Sequence, residues 1–338
     1  YYFILDEAQY IKNQSTKNAQ AVKLINGKYR FALTGTPIEN SLAELWSIFD
    51  FLMPQYLYNY HHFKETYEIP IIKNEDQEKQ AKLKRFVEPF ILRRTKKDVL
   101  TELPDKIENN VLIPFTPDEE KVYLANLSTI NTELQSAIQV NHIDKIQILA
   151  MMTRLRQLCC DQRILYNNVQ EPSSKLKACM DIIETAKENE QKILLFSSFT
   201  KSLDLIEAEL RKKDISYYVL TGATTKIKRH QLVNAFQNDK TTVFLISLKA
   251  GGTGLNLTSA STVIHFDPWW NMSAQNQATD RAYRIGQTNN VQVYKLIMKN
   301  SIEEKIQKLQ EQKQDLSNMF IENNHGSITQ MSTADIID

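Results

Sequence analysis

Two carboxylates in succession close the first apolar run of the chain, where Tyr2-Phe3-Ile4-Leu5 is followed by Asp6-Glu7. An apolar strand ending in two acids suits a magnesium–nucleotide site. The C-terminal ends of strands form the ligand edge of an α/β sheet, and pleating sends adjacent side chains different ways. One acid then holds the metal while the other orients water. Two solvated acids at a strand end would have the same sequence. A second apolar run, Tyr29 to Leu33, ends in Thr34-Gly35-Thr36-Pro37. Its glycine permits a tight turn, its hydroxyls can reach carboxylates or phosphates, and Pro37 suits the first turn of a helix starting near Asn40-Ser41. In isolation this is simply a strand-to-helix turn.

Glycine is scarce, with 8 in the chain, yet three fall in Lys249-Ala250-Gly251-Gly252-Thr253-Gly254, directly behind the apolar run Val243 to Ile246. Such a cluster marks backbone that approaches something closely, typically a phosphate or sugar met through N–H groups. Without the spacing of a Walker or dinucleotide loop, it points to a phosphate-like ligand or a structural turn. From Ser273 to Ile285 a helix would carry Gln277, Asp280, Arg281 and Arg284 at i, i+3, i+4 and i+7, backed by Ala274, Ala278, Ala282 and Ile285. Two arginines one turn apart, steadied by Asp280, suit a transferring phosphoryl group; a solvated charged face is the alternative. Phe90-Ile91-Leu92-Arg93-Arg94-Thr95-Lys96-Lys97 places four cations behind an apolar segment, either a phosphate contact or a surface basic run. His265, between apolar neighbours, reads as a core histidine. Trp269-Trp270 reads as packing or as a platform for a partner.

Positioning these groups requires alternating strands and helices. Ile193–Phe196, Tyr217–Leu220, Val243–Ile246, Val263–Phe266 and Val291–Tyr294 read as strands, separated by helices of about a dozen residues. That alternation predicts an α/β domain with a parallel sheet covered on both faces, from about residue 170 to 300. The first forty residues share the texture but supply too few strands to close a sheet. Between them lies a mostly helical stretch, with apolar stripes at Leu42, Leu45, Trp46, Phe49 and Leu52 and at Ile148, Met151, Met152, Leu155 and Leu158. Pro104, Pro114 and Pro117 place an inter-domain crossing near residues 100–117. A terminal helix follows Ser301.

With 338 residues the chain is long enough for two domains, and 42% hydrophobic with 24% charged residues describes a folded globular protein. A formal net charge of +1 means that a polyanion would be held by a local groove and not by bulk charge. Cys159, Cys160 and Cys179 lack the spacing of a disulfide framework or zinc site, so the sequence reads as intracellular. No apolar stretch approaches the roughly 20 residues that span a bilayer. The chain starts Tyr1-Tyr2-Phe3 and is expected to be part of a longer protein.

In order along the chain, Asp6-Glu7-Ala8-Gln9, Thr34-Gly35-Thr36-Pro37, FILRRTK from Phe90, KILLFSSF from Lys192, SLKAGGTGLNLTSA from Ser247, FDPWWN from Phe266 and QATDRAYRIGQ from Gln277 closely resemble the SWI/SNF-type DNA translocases of helicase superfamily 2. The resemblance implies an α/β fold of RecA-like parallel-sheet lobes, a complete second lobe and a truncated first, with helical insertions. It implies residues 1–102 as the later part of lobe one with an insertion and 103–172 as a linker and second insertion. Residues 173–300 would be lobe two, and 301–338 a brace helix and tail. It further implies ATP and Mg²⁺ as cofactors, double-stranded DNA as partner together with DNA-associated proteins, and, in a bacterium, a place in the cytoplasm or nucleoid.

On this resemblance Asp6 is the Mg²⁺-associated acid, Glu7 the activator of water, and Arg281 and Arg284 the arginine fingers. Thr34 and Thr36 couple hydrolysis to lobe movement, and Gln9, Gly35, Gly252, Gly254, Gln277 and Asp280 belong to the nucleotide-binding and coupling blocks. Arg93, Arg94, Ser198, Thr221, Gly222 and Lys249 belong to DNA-contacting blocks. Gln9 departs from the histidine common in the family, and Met272 from a proline. No G-x-x-x-x-G-K-[ST] loop occurs in the 338 residues, so this chain alone is expected not to hydrolyse ATP. A non-catalytic DNA-binding or regulatory module and an RNA-directed superfamily 2 helicase are the rival readings.

Overall fold

The computed structural model describes residues 1–35, 41–94, 96–100, 102–139, 145–251 and 255–321. It divides into two compact units, one comprising 1–95 with the chain from 309 onward, the other 96–308.

In the first unit β1 (Tyr2–Leu5) and β2 (Tyr29–Ala32) pair in parallel, Tyr2 opposite Tyr29 and Leu5 opposite Ala32. Parallel pairing needs a crossover, supplied by the 3₁₀ turn Ala8–Ile11 and the helix Lys17–Lys23, whose N-terminus is capped by the Thr16 hydroxyl. Phe3 and Leu5 pack on Ile11, Ala19 and Phe51, with Phe3 edge-on to Phe51 at 5.3 Å. The helix Leu42–Leu52 buries its apolar stripe of Leu42, Leu45, Trp46 and Phe49 against Phe63, Tyr67, Ile71, Leu83 and Val87 of the following helices. This is the core that the 3.6-residue periodicity predicts.

The second unit is built on a six-stranded, wholly parallel sheet in the order β3-β8-β7-β4-β6-β5, comprising β3 (Lys106–Ile113), β4 (Lys192–Ser197), β5 (Tyr217–Leu220), β6 (Val243–Ser247), β7 (Ala260–His265) and β8 (Val291–Met298). Alternate residues feed two cores, one on each face. Ile193, Leu195, Val243, Leu245 and Ile264 face the helices Ser174–Glu188 and Thr200–Lys212; Leu194, Phe196, Phe244, Ile246 and Val263 face Phe236, Ala278 and Ala282. Strands buried on both faces read as continuous apolar runs, which is why the five sequence-predicted strands recur here.

The sixth strand corrects the sequence reading. Residues 103–172, expected to be linker and helical insertion, contribute β3, which pairs with β8 from Lys106 opposite Val291 to Ile113 opposite Met298. Pro104 and Pro114 bracket this strand and do not interrupt helices. The edge position explains the miss, because polar residues blunt an edge strand: Lys106, Glu108, Asn109 and Asn110 hide its alternation. Glu108 accepts hydrogen bonds from Lys295 at 2.6 Å and pairs with Lys106 at 2.6 Å. The helices Pro117–Gln139 and Lys145–Cys160 then pack Tyr123, Ile130, Leu155 and Leu158 into the first core.

The terminal helix Ile302–Ile321 is fixed at its start by a pair that composition gives no hint of. Lys175 and Glu303 are both 0% exposed, Lys175 Nζ donates to the two carboxylate oxygens at 2.5 and 2.6 Å, and Met298 N donates to Oε2 at 2.8 Å. A buried charge whose partner is removed costs about 3–5 kcal/mol, whereas removing both together costs far less. Glu303→Leu should therefore destabilise the protein by about that amount, and Lys175→Met/Glu303→Leu should recover most of the loss. Urea unfolding of the three proteins, followed by circular dichroism, checks this; a double variant as unstable as the single contradicts it.

Candidate functional site

The acid pair sits where β1 ends. Leu33 N donates to Leu5 O at 2.8 Å and Ala8 N to Leu33 O at 2.9 Å, so the ends of β1 and β2 are laced together. Glu7 adopts a left-handed backbone, φ 52° and ψ 51°. That conformation is rare for a residue with a side chain and clusters at functional sites. Gln9 Nε2 donates to Glu7 Oε2 at 2.7 Å, and Thr34 Oγ1 donates to Gln9 Oε1 at 2.8 Å. Asp6 is exposed, and its Oδ1 accepts from Glu7 N at 2.9 Å. The side chains of Asp6, Glu7, Gln9 and Thr34, which come from two separate segments, are thus brought to one place beside Gly35. Asp6 suits a Mg²⁺ ion shared with a phosphate. Among the described residues no group of three or more His, Cys, Asp or Glu could hold a metal, so an ion here would complete its shell with water and phosphate oxygens, as magnesium commonly does. Thr36, Gly252 and Gly254 lie outside the described residues, as does the side chain of Lys249.

In the second unit the strand order aligns the C-terminal ends of β7, β4, β6 and β5 along one edge, bringing Asp267–Trp270, Ser197-Ser198, the backbone of Lys249 and Thr221-Gly222 into a row. Thr221 N donates to Thr224 Oγ1 at 3.1 Å, closing the turn that presents Gly222. Ser198 is held by Asp267, a fully buried carboxylate that accepts from Ser198 N at 3.0 Å, from Ser197 Oγ at 2.6 Å and from the Ser198 hydroxyl. Asp267 and its further partner Arg156 were not singled out from sequence; Arg156 looks there like one more polar residue of the helix Lys145–Cys160. Arg93 and Arg94, in the first unit, lie exposed, outside helix and strand, after the 3₁₀ turn Glu88–Phe90.

The arginine segment departs from its predicted geometry. The helix runs only from Met272 to Thr279, with Asn271 capping its N-terminus, and residues 280–286 form turns. Gln277 is helical, but Asp280, Arg281 and Arg284 do not continue its face. Asp280 pairs with Lys96 at 2.6 Å, and Lys96 also donates to Tyr283 O at 2.8 Å. Ile285, expected on the apolar back, is 72% exposed. Past the end of the helix, backbone groups take side-chain partners. Gln287 Nε2 donates to Thr258 O, Ala260 O and Ala282 O at 3.0, 2.8 and 3.2 Å, and its Oε1 accepts from Thr288 N and Asn289 N. Gly286, at φ +100°, makes the turn that this requires. Arg284 Nη1 donates to Leu255 O at 3.2 Å, and Arg281 is 8% exposed with its carbonyl accepting from Leu257 N at 2.9 Å. Both arginines are thereby fastened to the segment that follows the glycine cluster.

Parallel strands with an acid pair and hydroxyl-bearing turns at their C-terminal ends fit the RecA-like α/β fold, in which ligands meet that edge of the sheet. A SNF2-related domain model matches residues 1–164, and a helicase conserved C-terminal domain model matches 174–286. An uncharacterized ATP-dependent helicase of Mycoplasma pneumoniae is 41% identical over 321 residues, 94% of this chain, and the ISWI chromatin-remodeling complex ATPase ISW2 of Saccharomyces cerevisiae is 32% identical over 97% of it. Among solved structures, the Sulfolobus solfataricus SWI2/SNF2 ATPase core in complex with dsDNA matches at 40% identity with a TM-score of 0.54, covering 93% of this chain and 67% of that one. The chain belongs to the SWI/SNF family of superfamily 2 helicases. It spans 30% of the length of either curated relative.

His265, at the end of β7, is buried, and its Nε2 lies 2.8 Å from Thr279 Oγ1 at the end of the helix Met272–Thr279. Burial, with Lys295 and Lys106 adding repulsion, holds its pKa down to about 3. The unfolded chain therefore takes up this proton near the ordinary value of 6.5, and the folded chain only near 3. The stability contributed is full above 6.5 and declines as pH falls through that window. Unfolding midpoints should drop between pH 6.5 and 5 in the wild type and stay flatter in His265→Gln, where no imidazole titrates; parallel slopes would contradict the assignment.

Proposed function

We propose that this chain carries the coupling and DNA-gripping parts of an ATP-driven double-stranded DNA translocase. The hydrogen-bonded relay from Thr34 through Gln9 to Glu7 carries the reading, because it links the acid suited to orienting water directly to the end of the neighbouring strand. Magnesium-bound ATP, when present, supplies the transferring phosphoryl group and the charge that offsets its phosphates. Asp6 would hold the metal ion, Glu7 the attacking water, and Arg281 and Arg284 the developing charge. Ser198, Thr221, Gly222 and Lys249, with Arg93 and Arg94, would meet the DNA backbone, so the grip follows phosphate spacing and not sequence. The movement would be a stepping of this grip along the duplex without strand separation, with DNA-associated proteins as further partners.

In whatever length of the protein hydrolyses ATP, Glu7→Gln or Arg281→Ala should lower DNA-stimulated turnover by about 10³–10⁵ while leaving duplex binding within a few-fold. Near-normal turnover by both variants would remove the assignment. Competition at fixed salt should show duplex DNA displacing duplex RNA from this chain; preference for RNA would instead support an RNA-directed helicase.

A further inference from the structure

Arg156 projects from the helix Lys145–Cys160 and is 5% exposed. Its Nη2 donates to Pro268 O at 2.9 Å, to Ser198 Oγ at 3.2 Å and to Asp267 Oδ2 at 3.3 Å. Its guanidinium carbon lies 5.1 Å from the Phe199 ring centre and 5.6 Å from that of Trp270. Its Nε has no hydrogen-bond partner among the described residues. One nitrogen serves three acceptors while another is orphaned. A buried ion pair of this kind is poor evidence for stability, since an apolar pair of similar volume commonly does as well. Its position is more informative. Asp267 and Ser198 terminate adjacent central strands, at the edge where a duplex backbone is proposed to lie. An uncompensated carboxylate just beneath that edge would repel phosphate.

We propose that Arg156 is a positioning residue for duplex binding: it cancels the charge of Asp267 and clamps the turns Ser197–Phe199 and Asp267–Trp270, so that Ser198 can meet a phosphate. The inference rests on the DNA-translocase reading. It assigns a role to the second helical insertion, whose helix otherwise offers only packing. Because Arg156 is buried, it makes no phosphate contact itself and acts through Asp267 and Ser198.

The test is equilibrium binding of a short fluorescent DNA duplex to the whole chain at one salt concentration. Arg156→Met leaves Asp267 unbalanced and should weaken binding on the order of tenfold, the scale of one charge acting at such separations. Arg156→Met/Asp267→Asn removes both charges and should return affinity to within about threefold of wild type. Should Arg156→Met fail to fold, Asp267→Asn alone decides, with equal or tighter binding expected. Unchanged binding by Arg156→Met, a double variant as weak as the single, or weaker binding by Asp267→Asn overturns the proposal alone. A wild-type chain that binds no duplex overturns the translocase reading and this proposal with it.

Discussion

A parallel sheet cannot turn back on itself through a hairpin. Each strand must be followed by a covered crossover, and every strand therefore finishes at the same edge. In the second unit this constraint gathers Ser198, Thr221, Gly222, the Lys249 backbone and Asp267 from segments spread over some seventy residues of sequence into one row. In the first unit the same rule sets the ends of β1 and β2 side by side, so that Thr34 reaches Gln9 across a gap of 25 residues. No single segment contains a site; adjacency of strand ends makes one.

The burial that enforces this arrangement also determined what could be read from sequence. β4, β6 and β7, apolar on both faces, were legible because nothing but a doubly covered sheet demands such runs. β3 was not, because an edge strand carries Lys106, Glu108 and the Asn109-Asn110 pair for solvent and for its ion pairs. The arginine segment failed for a different reason. Periodicity assumes that a helix continues until a breaker, and no proline or early glycine marks the stop at Thr279. Asp6, Glu7 and Thr34 were singled out by residue type, and Gln9 only through the family resemblance. Their connection through the Gln9 amide was not legible, since hydrogen bonds between strands leave no spacing to detect.

Two buried ion pairs, both invisible to composition, do different work. Lys175 and Glu303 satisfy each other closely in an apolar surround, with Met298 N completing the carboxylate, and so set where the terminal helix begins. Arg156 and Asp267 are looser and shared among four backbone and hydroxyl groups, at an edge proposed to face a polyanion. Removal of the first pair as a unit should be nearly neutral. Removal of the second as a unit should spare affinity only if its function is charge balance, which is what distinguishes a fastening from a site.

The same logic bears on Gln9. A carboxamide donates and accepts at once and stays neutral across the physiological range, so the path from Thr34 to Glu7 keeps its polarity: hydroxyl to amide oxygen, amide nitrogen to carboxylate. A neutral imidazole could fill both roles too, but on protonation it would lose its acceptor and break the contact with Thr34 while adding a charge beside Glu7. With glutamine, the strand-end hydroxyl and Glu7 stay coupled without a titrating group between them. Control of this contact then falls to whatever moves Thr34, and the turn that begins there is the segment that the family resemblance associates with coupling. The substitution exchanges a group that proton uptake could switch for one that responds only to geometry.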